Sequence, residues 1–101
     1  MCIRDRFGPV LSVISFDTLE EAVRIGNDTH YGLAAAVWTR DITAAHRAAR
    51  SLRAGMVYIN CYDADDITVP FGGYRESGFG RDKSLHAFDK YTAVSYTHLR
   101  A

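Results

Sequence analysis

Short apolar segments alternate with amphipathic helical patterns between Val10 and Asn60, and this alternation constrains the fold more than any other feature of the sequence. The apolar segments predict strands at roughly Val10 to Phe16, at 33–39, where alanine weakens the pattern, and at 56–60. Because helices that connect strands usually cover a parallel sheet, the order strand, helix, strand, helix, strand predicts an α/β fold with a parallel or mixed sheet.

Capping residues and apolar periodicity predict where the first two helices begin and end. Thr18 is followed three residues later by Glu21, the spacing of a capping box, and the next apolar side chains share one helical face. Asp41 is placed to cap the second helix, whose apolar positions step by three or four residues from Ile42 onwards. Gly55 is expected to end that helix, because glycine is common just beyond a helix C-terminus.

A glycine-rich loop follows the third predicted strand, with four glycines between Gly72 and Gly80. Gly73 and Gly78 have the spacing of a Walker loop, but the lysine and hydroxyl residue that must follow directly are missing. A dinucleotide fingerprint also fails, because Lys83 stands where its third glycine belongs. The spacing therefore predicts a packed loop with several positive-φ turns, and not a phosphate cradle.

A third helix is expected after this loop, at about Asp82 to Lys90. Its apolar residues Leu85 and Phe88 are three positions apart, the spacing of a single helical face. We expect this face to be buried.

The two ends of the chain do not continue this pattern. Residues 1–6, MCIRDR, enter the first strand without a cap or turn, and residues 95–101, SYTHLRA, end the chain without a stop signal. Both strings resemble translated adapter sequence. We expect them to be non-native flanks of a native segment at 7–94, the alternative being frayed natural termini.

Charge and hydropathy exclude several classes of function. Twelve basic residues balance twelve acidic residues, which gives no electrostatic basis for binding nucleic acid or an anionic membrane. The longest apolar run, Leu33 to Trp38, is far too short to span a bilayer, and the first residues do not form a signal peptide. Cys2 and Cys61 alone do not make a disulfide scaffold, so we expect a cytoplasmic protein.

No complete metal-binding or nucleophile motif occurs in the sequence. The acidic run at 63–69 begins like a calcium loop, but Thr68 replaces the required glycine and Tyr74 the required glutamate. The four histidines are scattered and match no zinc motif, so no metal site is expected. Cys61 follows a predicted strand, but no base stands near it in sequence, which favours a packed or pocket-wall thiol over a nucleophile.

Three motifs together resemble the C-terminal part of the aldehyde dehydrogenase superfamily. They are FGPV at 7–10, ND-x-x-YGL at 27–33 and PFGG at 70–73, and their order and spacing agree with the family as far as about Val94. The longer string DITVPFGGYRESGFGRDKSLHAFDKYT is closest to the γ-glutamyl-γ-aminobutyraldehyde dehydrogenase group, which acts in putrescine breakdown. The resemblance implies a partial catalytic-domain sheet with about three strands and three helices.

The resemblance also implies a reaction. In this family a cysteine thiolate attacks the aldehyde carbon, and an oxyanion hole holds the charged intermediate. Hydride then passes to NAD or NADP, and a glutamate activates the water that releases the carboxylic acid. In the family pattern both catalytic residues and the main cofactor-binding domain lie upstream of Phe7, and Cys61 does not match the nucleophile's motif. The resemblance therefore implies no catalytic residue in this chain.

Three residues match positions to which the family gives a role near the substrate or cofactor. Phe7 matches an aromatic residue that lies against the nicotinamide ribose, and Phe71 matches one that lines the substrate tunnel. Asp65 falls at a pocket position, where an acid would suit an aldehyde that carries an ammonium group. Cys61 is expected in the pocket wall.

Two functions remain open at the level of the sequence. The first is a fragment of a nicotinamide-dependent aldehyde dehydrogenase, inactive alone, whose complete form is a homo-oligomer that oxidises a small-molecule aldehyde. The second is a small non-catalytic α/β interaction module that reuses this segment. A G-Q-x-C nucleophile loop upstream in the same coding sequence would identify the first.

Overall fold

The computed structural model of the protein describes residues 8–92. Within this range two α-helices, four short strands and one 3-10 helix follow one another along the chain. In chain order the elements are α1 (Leu19–Asn27), β1 (Tyr31–Gly32), β2 (Ala34–Val37), α2 (Ile42–Ser51), β3 (Met56–Ile59), β4 (Tyr74–Arg75) and the 3-10 helix (Leu85–Lys90).

The four strands form two separate pairs. β2 and β3 are parallel, with Ala34 opposite Met56 and Val37 opposite Ile59. Helix α2 connects them, so β2, α2 and β3 make a βαβ unit, the connection that parallel strands require. β1 and β4 are antiparallel, with Gly32 opposite Tyr74. The predicted α/β fold is confirmed, but the described strands form one parallel and one antiparallel pair instead of a single parallel or mixed sheet.

Both predicted N-terminal caps are present. The Thr18 hydroxyl accepts a hydrogen bond from the Glu21 N–H at 3.2 Å, and the Glu21 carboxylate accepts one from the Asp17 N–H at 3.1 Å. The Asp41 carboxylate accepts from the N–H groups of Thr43 and Ala44 at 2.8 and 3.2 Å. These side chains satisfy N–H groups that a helix start leaves without intrahelical partners.

The buried apolar core of the described residues is small. Ala45 and Ala48 of α2 and Tyr58 of β3 are 1%, 2% and 7% exposed. Alanine at both helix positions lets α2 lie close to the β2–β3 pair, because its methyl side chain is small enough for the helix and strand backbones to approach each other. The βαβ unit is therefore the structural centre from which the following loop departs.

The strand predicted at roughly Val10 to Phe16 is wrong for the described residues. This segment has no regular secondary structure, and Val10, Leu11 and Val13 are 85–86% exposed. An apolar, β-branched segment becomes a strand only where a neighbouring backbone accepts and donates its hydrogen bonds. Among residues 8–92 no strand lies beside it.

Gly55 does not end α2, contrary to the prediction. The helix stops at Ser51, with Leu52 as its C-terminal cap in an extended conformation. A Cβ at Gly55 would stand 1.7 Å from the carbonyl oxygen of Gly72. The glycine is needed because the start of β3 passes against the glycine-rich loop, a contact between segments that are distant in sequence.

The third predicted helix is a 3-10 helix that begins at Leu85, after Ser84 has capped it by accepting from the His86 N–H at 3.2 Å. The expected burial of its apolar face is wrong, since Leu85 is 81% and Phe88 62% exposed. Over residues 8–92, no helix has the length and hydropathy needed to cross a membrane.

Candidate functional site

Backbone hydrogen bonds close the glycine-rich loop of residues 72–80 at its base. The N–H groups of Phe71 and Asp82 each donate to the other residue's carbonyl, at 2.7 and 2.6 Å. The Ser84 N–H donates to the Ile67 carbonyl at 2.7 Å. These bonds hold the segment before the glycines firmly against the segment after them.

The glycine-rich loop directs its backbone carbonyls at the positively charged side chain of Arg81, the residue that follows the loop. The Arg81 guanidinium donates to the carbonyls of Gly73 and Gly80 at 2.8 and 2.7 Å and lies 4.5 Å from the centre of the Tyr74 ring. A phosphate loop presents N–H groups to its anion, whereas here carbonyl oxygens converge. Gly78 and Gly80 have φ values of 89° and 109°, which confirms the predicted positive-φ turns.

Four side chains from three parts of the chain meet beside this loop, and we call them the Asp65 cluster: Tyr58, Asp65, Phe71 and Lys83. The Tyr58 hydroxyl donates to Oδ1 of Asp65 at 2.5 Å, and the Lys83 ammonium donates to Oδ2 at 2.5 Å. Lys83 Nζ also lies 5.4 Å from the centre of the Phe71 ring, within the range of a cation–π contact. The side chains of Lys83 and Asp65 are only 28% and 20% exposed.

Hydrogen bonding sets the protonation states in the Asp65 cluster. The Lys83 ammonium, and next the Tyr58 hydroxyl, hold the pKa of Asp65 below its usual value. The hydrogen bond to the Asp65 carboxylate, and next desolvation, raise the pKa of Tyr58 to about 12. At neutral pH Asp65 is therefore a carboxylate and Tyr58 a neutral donor.

Backbone strain accompanies the position of Lys83. Lys83 and Ser84 have φ values of 58° and 54°, although neither is glycine. Such conformations cost of order 1–3 kcal/mol each and persist where the surrounding structure enforces them. Here the paired hydrogen bonds of Phe71 and Asp82 fix the residue before Lys83, and the bond from Ser84 to Ile67 fixes the residue after it.

Cys61 lies half-buried two residues beyond the end of β3, where the chain leaves the sheet. The preceding residue, Asn60, binds the backbone of Thr39 through both side-chain atoms, donating to its carbonyl and accepting from its N–H at 2.9 Å each. The ends of β2 and β3 are thereby tied together. Ligands of α/β folds bind at this carboxyl edge of a parallel sheet.

The structure brings together two of the four residues singled out from sequence and places Cys61 outside their cluster. Asp65 and Phe71 both belong to the Asp65 cluster, joined through Lys83. Cys61 lies near the start of the segment that connects β3 to β4 and is not a member of the Asp65 cluster. Phe7 lies outside the described residues. Among residues 8–92 no group of three or more histidine, cysteine, aspartate or glutamate side chains is arranged to hold a metal ion.

Sequence reasoning missed Tyr58 and Lys83. Tyr58 appeared only as a strand residue, and its burial at 7% exposure was not evident from a four-residue strand. Lys83 was noted only as the residue that interrupts a dinucleotide fingerprint and as part of a subfamily string. The one available signal was that the acidic run at 63–69 and a lysine that interrupts a glycine pattern, Lys83, both occur near the glycine-rich loop. This signal does not show which acid pairs with the lysine.

A concave surface lies between α1, β2 and α2, apart from the Asp65 cluster. It is a groove of about 530 Å³, lined mainly by apolar residues of these three elements. It contains no cluster of charged groups comparable to the Asp65 cluster. We therefore take the Asp65 cluster, at the carboxyl edge of the sheet, as the candidate functional site.

Comparison with known proteins gives a family match over nearly the whole chain. The sequence model described as "Aldehyde dehydrogenase family" matches residues 2–97. The NADP/NAD-dependent aldehyde dehydrogenase PuuC of Escherichia coli strain K12 is 59% identical over 88 residues, which are 87% of this chain and 18% of that protein. The chain thus spans about a fifth of the length of the curated relatives it matches.

Solved structures of two relatives superpose closely on the described fold. The γ-glutamyl-γ-aminobutyraldehyde dehydrogenase of Burkholderia cenocepacia J2315 is 67% identical, with a TM-score of 0.80 over 85% of this chain and 18% of that one. The indole-3-acetaldehyde dehydrogenase AldA of P. syringae, solved with NAD+, is also 67% identical, with a TM-score of 0.80 over 85% of this chain and 17% of that one.

Proposed function

Because the chain belongs to the aldehyde dehydrogenase family, we propose that it is part of a nicotinamide-dependent enzyme that oxidises an aldehyde to the carboxylic acid. The observation that supports this most strongly is the family match over residues 2–97, together with 59% identity to an aldehyde dehydrogenase of E. coli. Since the chain spans only about a fifth of such relatives, the activity belongs to the complete enzyme of which this segment is a part.

The described residues do not fit the phosphates of a nicotinamide cofactor. The glycine-rich loop turns its carbonyl oxygens toward Arg81 and offers no converging N–H groups to an anion. We therefore assign the binding of NAD or NADP, which accepts hydride, to parts of the enzyme beyond residues 8–92. Phe7 is the one residue of this chain that we propose as a cofactor contact, on the basis of the motif FGPV.

We propose that the nucleophilic cysteine and the glutamate base also lie outside this chain. Cys61 does not match the nucleophile's motif, and it follows β3 at the edge of the sheet instead of joining the Asp65 cluster. Its proposed place is in the pocket wall, beside the tunnel lined by Phe71. The chain's own contribution to the reaction is then to bind and orient the aldehyde, which lowers the entropic cost of reaching the reactive geometry.

The charge of Asp65 is our basis for proposing the substrate class. Sequence identity does not discriminate between candidate substrates. Relatives named for γ-glutamyl-γ-aminobutyraldehyde and for indole-3-acetaldehyde are each 67% identical to this chain. A carboxylate at the pocket favours an aldehyde that carries an ammonium group over an uncharged one. We propose γ-glutamyl-γ-aminobutyraldehyde, and with it a role in putrescine breakdown.

Replacing Asp65 by asparagine in the complete enzyme tests this proposal. We expect D65N to raise KM about tenfold for γ-glutamyl-γ-aminobutyraldehyde, because one charge-assisted hydrogen bond is lost, and to leave KM for butyraldehyde unchanged. Initial rates of cofactor reduction give both constants. Equal effects on the two aldehydes would show that Asp65 has no role in substrate charge recognition.

We also propose that the complete enzyme is a cytoplasmic homo-oligomer. Family resemblance supports the oligomer, because the family's C-terminal strand joins another subunit's sheet. In this chain that strand would follow Thr92, outside the described residues. Light scattering of the complete enzyme gives its subunit number, and a monomer at all working concentrations would contradict the proposal.

A non-catalytic α/β interaction module is the alternative. It differs from the enzyme in one measurable respect, since the complete coding sequence of a module would contain no G-Q-x-C loop and its product would reduce no cofactor in the presence of any aldehyde.

A further inference from the structure

Each oxygen of the Asp65 carboxylate already has a partner of its own. Tyr58 donates to Oδ1 and Lys83 to Oδ2, and the Lys83 and Asp65 side chains are 28% and 20% exposed. Both side chains are therefore mostly covered, but each retains some surface that a small molecule could contact. A purely cationic group that approaches Asp65 must compete with the Lys83 ammonium.

Lys83 is held in place by more than its ion pair. The hydrogen bonds exchanged by Phe71 and Asp82, and the bond from Ser84 to Ile67, hold the backbone on both sides of Lys83. Its left-handed backbone, with φ 58°, is a strained conformation that this frame maintains. A flexible surface lysine would lose much rotamer entropy on binding a ligand, but a pre-positioned one loses less.

The pair offers a positive and a negative group a few ångströms apart. A lysine ammonium has three N–H donors, so binding to Asp65 leaves others for a second acceptor. The Asp65 oxygens likewise have lone pairs beyond those used by Tyr58 and Lys83. A group with both a carboxylate and an ammonium on one carbon matches both charges, whereas a lone cation or a lone anion meets one attraction and one repulsion.

We propose that Lys83 and Asp65 form a charge-paired subsite that selects aldehydes whose far end is an α-amino acid zwitterion, with Lys83 binding the carboxylate and Asp65 the ammonium. This rests on the proposed function, since it names the residue that distinguishes one charged aldehyde from another within that reaction. Phe71, whose ring faces Lys83 Nζ at 5.4 Å, forms the wall along which the aldehyde chain extends from this subsite.

The test is Lys83→Met in the complete enzyme, assayed with three aldehydes that differ in the charge of the far end. They are γ-glutamyl-γ-aminobutyraldehyde, which is zwitterionic there, 4-aminobutyraldehyde, which is cationic, and butyraldehyde, which is neutral. We expect KM to rise about tenfold for the first, because a charge-assisted hydrogen bond is lost. For the second KM should fall, since Asp65 loses its competing cation, and for butyraldehyde it should stay constant.

The opposite signs for two charged aldehydes separate recognition from a structural role. A merely structural lysine would change all three KM values in the same direction. Because the head group is remote from the reacting carbon, kcat should stay within about twofold for all three aldehydes. Lys83→Arg keeps the charge and should retain most of the preference for the zwitterion.

Lys90→Met is the matched control. Lys90 ends the 3-10 helix, is exposed and lies outside the Asp65 cluster, so this variant should leave all three KM values unchanged. Methionine and lysine are both unbranched, so the left-handed backbone at residue 83 accepts either equally. If the melting temperature of K83M is nevertheless lowered, Lys83→Gln repeats the test with a neutral polar side chain.

Two failures are distinguishable. If the wild-type enzyme oxidises these aldehydes but K83M and K83Q change the three KM values equally or not at all, this inference is overturned and the proposed function stands. If the wild-type enzyme oxidises none of them and no other aldehyde, the proposed function fails and the inference with it.

Discussion

Asp65 illustrates how one residue's chemistry is set by groups that are distant in the chain. An isolated aspartate in the run at 63–69 would be a solvated turn acid, which is the ordinary interpretation of such a run. In the structure the Asp65 carboxylate accepts hydrogen bonds from Lys83 and from Tyr58, which lies seven residues before it in the chain. The Asp65 cluster therefore contains a neutral ion pair and a tyrosine donor, instead of one bare negative charge.

This pairing makes the stability of the fold depend on pH in two ranges. Asp65 has a lowered pKa, so its contribution is fully present above its usual value of 3.8 and is lost as pH falls through the folded-state pKa. Tyr58 has a pKa raised from 10.0 to about 12, so its contribution is fully present below pH 10 and is lost as pH rises toward about 12.

A phenolate absorbance titration of the complete enzyme checks the alkaline part. The wild-type minus Tyr58→Phe difference should show one phenol that titrates near pH 12. In Asp65→Asn the same difference should move back toward pH 10, because the accepting carboxylate is gone. A Tyr58 phenol that titrates near pH 10 in both backgrounds would mean that the hydrogen bond to Asp65 does not form in solution.

At the scale of elements, local signals were sufficient for the starts of α1 and α2 and insufficient for the first predicted strand. Thr18 and Asp41 act on N–H groups two or three residues away, so the sequence alone predicts both helix starts. β2 forms from the alanine-rich AAAV because β3 lies beside it, whereas the more strand-like residues from Val10 to Phe16 have no described neighbour. Strand formation depends on a partner, and a partner is not a local property.

The cap of α2 gives a prediction at this scale. Asp41→Ala should destabilise the complete enzyme by about 1 kcal/mol, because two N–H groups of the first turn lose their acceptor. Asp41→Asn is the control, since its side-chain oxygen still accepts these hydrogen bonds, and it should stay close to wild type. Denaturant unfolding measures both. If both variants lose the same amount of unfolding free energy, the effect comes from the charge of Asp41 and not from capping.

At the scale of the whole molecule, the described residues leave most of their large apolar side chains exposed. Val10 and Leu11 are each 86% and Phe79 100% exposed, while the buried apolar residues are two alanines and one tyrosine. Burial of apolar surface is the main favourable contribution to folding. Residues 8–92 by themselves therefore lack the core that an independent domain of this size would have.

We expect the 101-residue chain alone to show little cooperative unfolding. Two-stranded pairs with exposed apolar faces are marginal in water, so far-ultraviolet circular dichroism should change gradually with urea and show no sharp transition. The complete enzyme serves as the comparison under the same conditions. A steep two-state transition of the chain alone would favour the interaction module over the enzyme segment.

The sequence by itself determined the family, the α/β class, both helix starts and the absence of a phosphate motif in the glycine-rich loop. Each of these depends on residue identity or on spacing over a few positions. Only the tertiary structure decided that Gly55 passes against Gly72, that the segment from Val10 to Phe16 is unpaired and that Lys83 neutralises Asp65. Each of these features depends on which segments distant in sequence lie next to each other in the fold. A pattern of neighbouring residues does not contain that information.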